Sequence, residues 1–310
     1  MNNPTLSVIM SVYNGEDHLY EAIESILNQT YKKFEFIIID DGSIDNSLHI
    51  IKKFQNKDNR IAVISRKNKG QACSLNEGIR QAKGKYIAIM DADDVSFINR
   101  FDKQVDFLEK NKDVGVCGSW ITSVLNLPIK TPVSNDEAKV ALLFSSCVAH
   151  STVLMRKNVL DKLDFVYKES LIRAQDYDLW TRLINVTKFY NIPEVLLKYR
   201  YHSGQYKNKK IEYEMSHKVR DCYLKSICND ITNEESEVFT RIVENLHVDK
   251  EVRKIVINKI LKANKESGVL DNVILIKRLN KHGLMPSQMF KRIIRPIKLI
   301  LIRVLAKRVF

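Results

Sequence analysis

The sequence predicts an α/β fold with a mostly parallel central sheet and a helical C-terminal extension. Three observations carry that prediction. Short apolar runs alternate with helically spaced segments through residue 91. Asp-rich turns close two of the runs, at 40–41 and 91–94. From about residue 206 the chain is highly charged, keeps helical spacing and has almost no turn signals until 281–287.

Taken in order, "LSVIMSVY" (6–13) is an apolar strand, and 16–30 has helical spacing through Leu19, Ala22, Ile23, Ile26 and Leu27. "FEFIIID" (34–40) is a second strand ended by the turn signal "DGS". Ser43 or Asp45 is placed to cap the next helix, which runs through Leu48, Ile51 and Phe54. A third strand (61–65), a helix (72–82) and a fourth strand (85–91) follow. Strands separated by helices imply right-handed crossovers and a parallel sheet. Ligands of such sheets bind beyond the carboxyl ends of the strands, so both Asp-rich turns should face one crevice.

After Trp120 the pattern changes. "TSVLNLPIKTPVS" (122–134) reads as loop or short strands, leading to a helix near 136–144. "AHSTVLMRKNVL" (149–160) reads as a strand turning into a short helix, 174–184 as a helix, and 189–202 as one or two strands. The chain therefore divides into 1–120, 121–205 and 206–310.

Composition excludes several classes. No run is apolar enough for a membrane span, and "MNNPTLSVIM" lacks the layout of a signal peptide. The five cysteines are an odd number with no C-x-x-C spacing, which fits unpaired thiols in a reducing cytosol. The net charge of +13 is uneven: −1 over 1–120, +3 over 121–205 and +11 over 206–310. Such asymmetry points to a surface-binding tail. With no nucleic-acid motif beside the charge, nucleic acid is not an expected partner.

"YIAIMDADDVS" (86–96) carries the chemistry. Asp91, Asp93 and Asp94 crowd the end of an apolar strand. Two carboxylates about 4 Å apart repel by roughly 4 kcal/mol at an effective dielectric near 20, so the turn calls for a counter-charge. A divalent cation held also by a diphosphate would supply it, since Mg²⁺ and Mn²⁺ take one or two carboxylates plus substrate phosphates. The alternative is a solvated acidic turn that caps the next helix.

These motifs, with "SVIMSVYNGEDHLYEAIESILNQT", "IIIDDGSIDNS", "NKGQACSLNEGIRQAKGKYIAIMDADD", "HSTVLMRKNVL" and "QDYDLWTRL", resemble the family 2 glycosyltransferases over roughly residues 5–200. The resemblance implies the Rossmann-like, mostly parallel sheet of the A-type glycosyltransferase fold and the bacterial polysaccharide type of enzyme. On it, Tyr13 packs against the nucleotide base and Asp41 accepts the N–H of a uracil or thymine. Asp40 closes the strand and turn. Asp93 and Asp94 resemble the ribose and metal contacts, with Asp94 first for Mn²⁺ or Mg²⁺ and Asp91 supporting the turn. Asp176 resembles the catalytic base, which takes the proton of the acceptor hydroxyl. Asp178 points elsewhere. His150 matches a position near the acceptor or the diphosphate.

The sequence departs from the family's pattern twice. Gln175 stands where that pattern has Glu before the catalytic Asp, and remains able to hydrogen-bond the acceptor. Ile89 stands where similar sequences carry Arg, which leaves Lys67 and Lys69 as candidates for the diphosphate. The implied reaction is inverting, metal-dependent transfer of a sugar, a hexose by preference, from a UDP- or dTDP-sugar to a hydroxyl of a glycan or lipid-linked oligosaccharide. Cell-surface polysaccharide synthesis, capsule or lipopolysaccharide, is the implied setting. A non-catalytic scaffold that binds nucleotide-sugar is the alternative.

The tail, "MFKRIIRPIKLILIRVLAKRVF" (289–310), has seven Lys or Arg and no acid. At helical spacing Phe290, Ile293, Ile294, Ile297, Ile300, Leu301, Val304 and Leu305 gather on one side. Arg292, Arg295, Lys298, Arg303 and Lys307 take the other. A basic amphipathic helix of this kind lies in an anionic membrane interface. The expected location is cytoplasmic, peripheral on the inner face of the plasma membrane; the alternative is a helix packed on its own domain.

Overall fold

The computed structural model describes residues 4–122, 125–200 and 209–281. They divide into two compact units between Val219 and Arg220.

In the first unit β1 (Leu6–Val12) is buried at every residue but Ser11. Such continuous apolar runs belong to parallel strands covered on both faces. β1 pairs in parallel with β2 (Phe34–Asp40), from Leu6 opposite Phe34 to Val12 opposite Asp40. β3 (Ile61–Ser65) joins the far side of β2, and β4 (Tyr86–Ile89) the other side of β1, both in parallel. All four carboxyl ends thus lie on one edge.

Helices cover both faces. Leu6, Val8, Met10 and Val12 pack in one core with Leu19, Ala22, Ile23 and Ile26 of α1 (Glu16–Leu27). Ile9 faces α3 (Gln71–Gln81), where a Cβ on Gly78 would come within 2.6 Å of the Ile9 side chain. Only glycine lets that helix lie so close to the sheet.

α1 stops at Leu27, short of the expected residue 30, because Gln29 is drawn away. Its buried amide donates to the Phe97 carbonyl at 2.8 Å and accepts from the Phe101 N–H at 3.1 Å. The chain after the acidic turn is pinned by this contact. α2 (Ser47–Gln55) follows Asn46, and neither Ser43 nor Asp45 is its N-cap residue. Ser43 instead accepts from the Asn14 N–H at 3.1 Å, and the Asp45 carboxylate accepts from Ser47 N–H at 3.0 Å and Glu16 N–H at 3.1 Å. Both side chains tie the turn after β2 to the start of α1.

Past β4 the sheet becomes mixed. The later elements are β5 (Val95–Ser96), α4 (Arg100–Lys110), β6 (Val114–Thr122), β7 (Pro128–Ile129), α5 (Asn135–Ala141), a 3-10 turn at His150–Thr152, β8 (Leu154–Arg156), α6 (Lys157–Leu160), α7 (Gln175–Leu183) and β9 (Lys188–Lys198). Strand order is β3-β2-β1-β4-β8-β6-β9-β5, with β7 beside β6. β8 runs antiparallel to β4 and β6, β9 parallel to β6, and β5 antiparallel to β9. α4 and β6 have no counterpart in the sequence reading. The inward face of α4 carries Arg100 and Gln104 beside Phe101, Val105 and Leu108, which breaks its apolar period.

The second unit is helical, as the spacing after residue 206 predicts. It takes the end of α8 (Lys209–Ile227), then α9 (Asn233–Val243), α10 (Lys250–Ser267) and α11 (Asn272–Lys281). Thr232 and Glu235 form a capping box at the start of α9, and Asp249 caps α10. Leu224, Phe239, Ile242, Ile260, Leu275 and Leu279 are buried. Among the described residues no helix is long and apolar enough to cross a membrane. The amphipathic segment expected at 289–310 lies outside the described residues.

Candidate active site

The first acidic turn is held by its own hydrogen bonds. Asp40, buried, accepts from the Ser65 hydroxyl at 3.0 Å and from Ser43 N–H at 3.3 Å, and so closes the strand end. Asp41 is 2% exposed, and its carboxylate gathers the loop after β3. It accepts from Lys69 N–H at 2.9 Å and Gly70 N–H at 2.8 Å, and pairs with the Arg66 guanidinium. Arg66 also binds Glu77 at 2.7 Å. A carboxylate offers about four lone-pair sites, so these three bonds leave one of them over. Gly42 follows at φ +78°, with its Cα so near the loop that a Cβ would lie 2.8 Å from Asn68 N. Tyr13 stands half exposed at the end of β1, and the Lys67 and Lys69 side chains are exposed.

The loop that Asp41 gathers leads straight into α3, whose first residue, Gln71, donates its amide N–H to Asp91 at 3.4 Å. The start of α3 therefore bridges the two acidic turns.

In the second turn the three carboxylates differ sharply. Asp91 faces the His150 ring, with Nδ1 at 3.3 and 3.4 Å from its oxygens, and accepts from the Ser151 hydroxyl at 2.6 Å. Burial opposes ionisation of Asp91, but the charge and hydrogen bond of His150 hold its carboxyl below the usual range. The same pairing raises His150 against its own burial. Asp93 is half-buried. Asp94 is fully buried: Oδ1 accepts from Arg200 N–H at 3.0 Å, while Oδ2 has no hydrogen-bond partner. Burial, then the charges of Asp91 and Asp93, push the Asp94 carboxyl up to about 8.

An orphaned buried carboxylate oxygen between two other acids fits a hard cation. Among the described residues no three His, Cys, Asp or Glu side chains converge into a full metal cage. The donor set suits an ion whose remaining ligands come from a bound phosphate.

Arg100 lies beneath this turn, and sequence reasoning missed it. It is fully buried, and its guanidinium donates to the Ser151 carbonyl and, at 3.5 Å, to the Ile89 carbonyl. Burial lowers its pKa to about 9, with the charges of Asp94 and Asp91 working the other way. At neutral pH it remains a cation. Part of the counter-charge that the acidic turn calls for is therefore built into the protein. The arginine absent at position 89 has no replacement along the strand, but Arg100 reaches that strand end from α4. Its spacing of six residues from Asp94 was the only available signal.

His150 turns its other nitrogen to the Tyr167 hydroxyl at 2.9 Å. Tyr167 is itself clamped through its backbone by the Asn76 amide, at 2.8 and 2.9 Å. Nothing in the sequence marked Tyr167 or Asn76. Asp176 sits half-buried in the first turn of α7, where the helix dipole favours its charge, and accepts from the Ser146 hydroxyl at 3.3 Å. It is close enough to act electrostatically on His150 and Tyr167. Ala174, two residues earlier, is left-handed at φ 57°, a strained backbone of the kind that clusters at active sites.

Gln175 is 8% exposed and donates its amide to the Leu171 carbonyl at 2.8 Å, fastening the loop before α7. Asp178 pairs with Arg182 at 2.8 Å, away from Asp176 as expected.

The profile of glycosyl transferase family 2 matches residues 7–163 of this chain. An uncharacterized glycosyltransferase of Methanocaldococcus jannaschii is 40% identical over 210 residues, covering 64% of this chain and 72% of its own. S. aureus TarS 1–349 in complex with UDP-GlcNAc superimposes with a TM-score of 0.61 at 18% identity, over 90% of this chain and 92% of that one. A mannosyltransferase from Pyrobaculum calidifontis in complex with GDP-Man and Mn²⁺ gives 0.58 at 15% identity, over 92% and 82%. Those two likenesses support the A-type fold, and the family match spans half of the chain. The protein belongs to glycosyl transferase family 2 and is a glycosyltransferase.

Proposed function

We propose that the enzyme transfers a sugar from a uridine or thymidine diphosphate donor to a hydroxyl of a glycan or lipid-linked oligosaccharide, with inversion and with the help of Mn²⁺ or Mg²⁺. The observation that carries this reading is Asp94: a buried carboxylate oxygen with no partner, beside two more acids at the carboxyl end of a parallel sheet. Bound there, a divalent ion would supply Lewis-acid stabilisation of the negative charge left on the diphosphate. Asp94 and Asp93 would hold it. Residues 1–120 contribute the donor side, with Tyr13 against the base, Asp41 reading it and Lys69 beside the diphosphate.

Residues 121–205 contribute the acceptor side. Asp176 takes the proton of the acceptor hydroxyl, and the Ser146 hydroxyl steadies its carboxylate meanwhile. His150, whose hold on a proton is strengthened by Asp91, lies on the diphosphate side of the site and would bring positive charge to it when protonated. Gln175 fastens the loop before α7 with one amide N–H, and its second N–H and its carbonyl are left to hydrogen-bond the acceptor. Attack from the face opposite the leaving group in a single displacement inverts the anomeric carbon. The solved neighbours bind either UDP-GlcNAc or GDP-Man, so the choice of base rests here on Asp41.

Charge supports an anionic membrane surface as partner for the basic 289–310 segment, which brings the enzyme to a lipid-linked acceptor on the cytoplasmic face and suits cell-surface polysaccharide synthesis. The test is a thermal-shift screen of UDP-, dTDP-, GDP- and ADP-sugars with and without Mn²⁺, followed by donor hydrolysis with the best binder. Stabilisation by a UDP- or dTDP-sugar only when Mn²⁺ is present is expected. Equal stabilisation in EDTA overturns the metal reading.

A further inference from the structure

Arg100 is a whole positive charge with no exposure to solvent, set under a site built to receive another cation. None of its contacts carries an opposite charge: the carbonyls of Ser151 and Ile89, the Met90 sulfur at 3.7 Å, and the Phe101 ring, whose centroid lies 4.7 Å from the guanidinium carbon. Its Nε has no partner at all. An arginine kept only for packing or for holding two carbonyls is costly to bury, because a desolvated charge without a directly bonded carboxylate loses its hydration uncompensated. The compensation here is the negative charge of Asp91, joined by that of Asp94 once its carboxyl ionises. Arg100 also fastens the Ser151 carbonyl, while the Ser151 hydroxyl donates to Asp91. One residue thus fixes the floor of the turn and sets its net charge.

We infer that Arg100 is a positioning residue that weakens the acidic turn's affinity for a free divalent cation, so that the ion binds with the donor's diphosphate rather than residing in the empty enzyme. The inference rests on the metal reading above. Its physical basis is electrostatic. A fixed positive charge in a low-dielectric floor repels a second, doubly charged one. A diphosphate brings negative charge that reverses the balance. Donor and ion then enter and leave as a pair, which keeps product release from stranding a tightly held ion.

The effect separates from a merely structural role by its sign. Loss of a brace loosens the turn and weakens ion binding, whereas loss of a repelling charge strengthens it. The experiment is calorimetric titration of the full-length protein with Mn²⁺ alone and with Mn²⁺ plus UDP, in wild type, Arg100→Met and Arg100→Lys. Wild type should bind Mn²⁺ weakly alone and at least about tenfold more tightly with UDP present. Arg100→Met should bind Mn²⁺ alone more tightly than wild type, by roughly threefold or more, and show a smaller gain from UDP. Arg100→Lys, which keeps the charge, should stay near wild type. Should Arg100→Met not fold, Arg100→Gln retains an N–H for the Ser151 carbonyl and is expected to show the same tightening. Weaker Mn²⁺ binding in the folded neutral variants overturns the inference while leaving the metal reading intact. Wild-type UDP binding that ignores Mn²⁺ overturns both.

Discussion

The backbone N–H of Arg200 donates to Asp94 Oδ1 at 3.0 Å, a contact made across 106 residues of sequence. It fixes one carboxylate oxygen at the end of β9 and leaves Oδ2 as the orphan of the acidic turn. Asp94 is therefore held in place yet incompletely satisfied, the condition of a residue that awaits a ligand. Asp94→Ala should abolish transfer and the Mn²⁺-dependent part of nucleotide binding. Calorimetry with UDP and Mn²⁺ checks this, and a variant that binds UDP with undiminished Mn²⁺ dependence refutes the assignment.

The same carboxyl makes stability depend on pH. Its pKa rises from 3.8 to about 8 on folding, so between those values the folded protein holds a proton that the unfolded chain has released. That contribution to stability is complete below the unfolded value and is lost as pH rises through the folded one. In EDTA, wild-type thermal stability should fall more steeply from pH 6 to 8.5 than that of Asp94→Asn. Added Mg²⁺ should stabilise wild type most at the alkaline end. Parallel melting curves for the two proteins across that range would show that Asp94 is not the group responsible.

Asp41 spends three of its acceptor sites on Arg66, Lys69 and Gly70, and keeps one. Uridine nucleotides should bind well above ADP or GDP. Asp41→Ala should narrow the gap while it frees the 66–70 loop, seen as faster amide exchange there. Equal affinity of the wild type for all the nucleotides sinks the base-reading role.

Asp176→Asn preserves the shape of the α7 start and the Ser146 contact but removes the proton acceptor. Transfer should drop by about 10²–10⁴-fold, the usual worth of a general base, with donor affinity nearly unchanged. A variant that instead loses donor binding and keeps its turnover makes Asp176 a binding residue.

Deletion of 288–310 should release the protein from anionic vesicles and leave donor binding intact, since every candidate site residue precedes residue 201. Each Lys or Arg near an anionic surface contributes on the order of 1 kcal/mol, so added salt should also weaken attachment of the intact chain. Cosedimentation measures both. Unchanged vesicle binding by the truncated protein makes the segment a packing element.

Local sequence determined the half of the molecule in which chemistry and secondary structure share neighbours. The parallel strands β1 to β4 were legible because each is a continuous apolar run, and their acidic turns because carboxylates at strand ends are conspicuous. Asp41, Asp94 and Asp176 stand out as candidates because their motifs resemble the family's. What the tertiary structure decided depends on burial of polar groups, which no local pattern reveals. α4 hid because Arg100 and Gln104 face inward, where the helical period leads one to look for apolar residues. Arg100 became the floor of the acidic turn only once α4 packed against the end of β4. Tyr167 met His150 because β8 and the loop before α7 return to β4, and Arg200 met Asp94 because β9 pairs with β5 from far along the chain. The bond from the Gln175 amide back to the Leu171 carbonyl has no mark in the sequence either. Such contacts are set by which segments the sheet order brings together, and that order is a property of the whole chain.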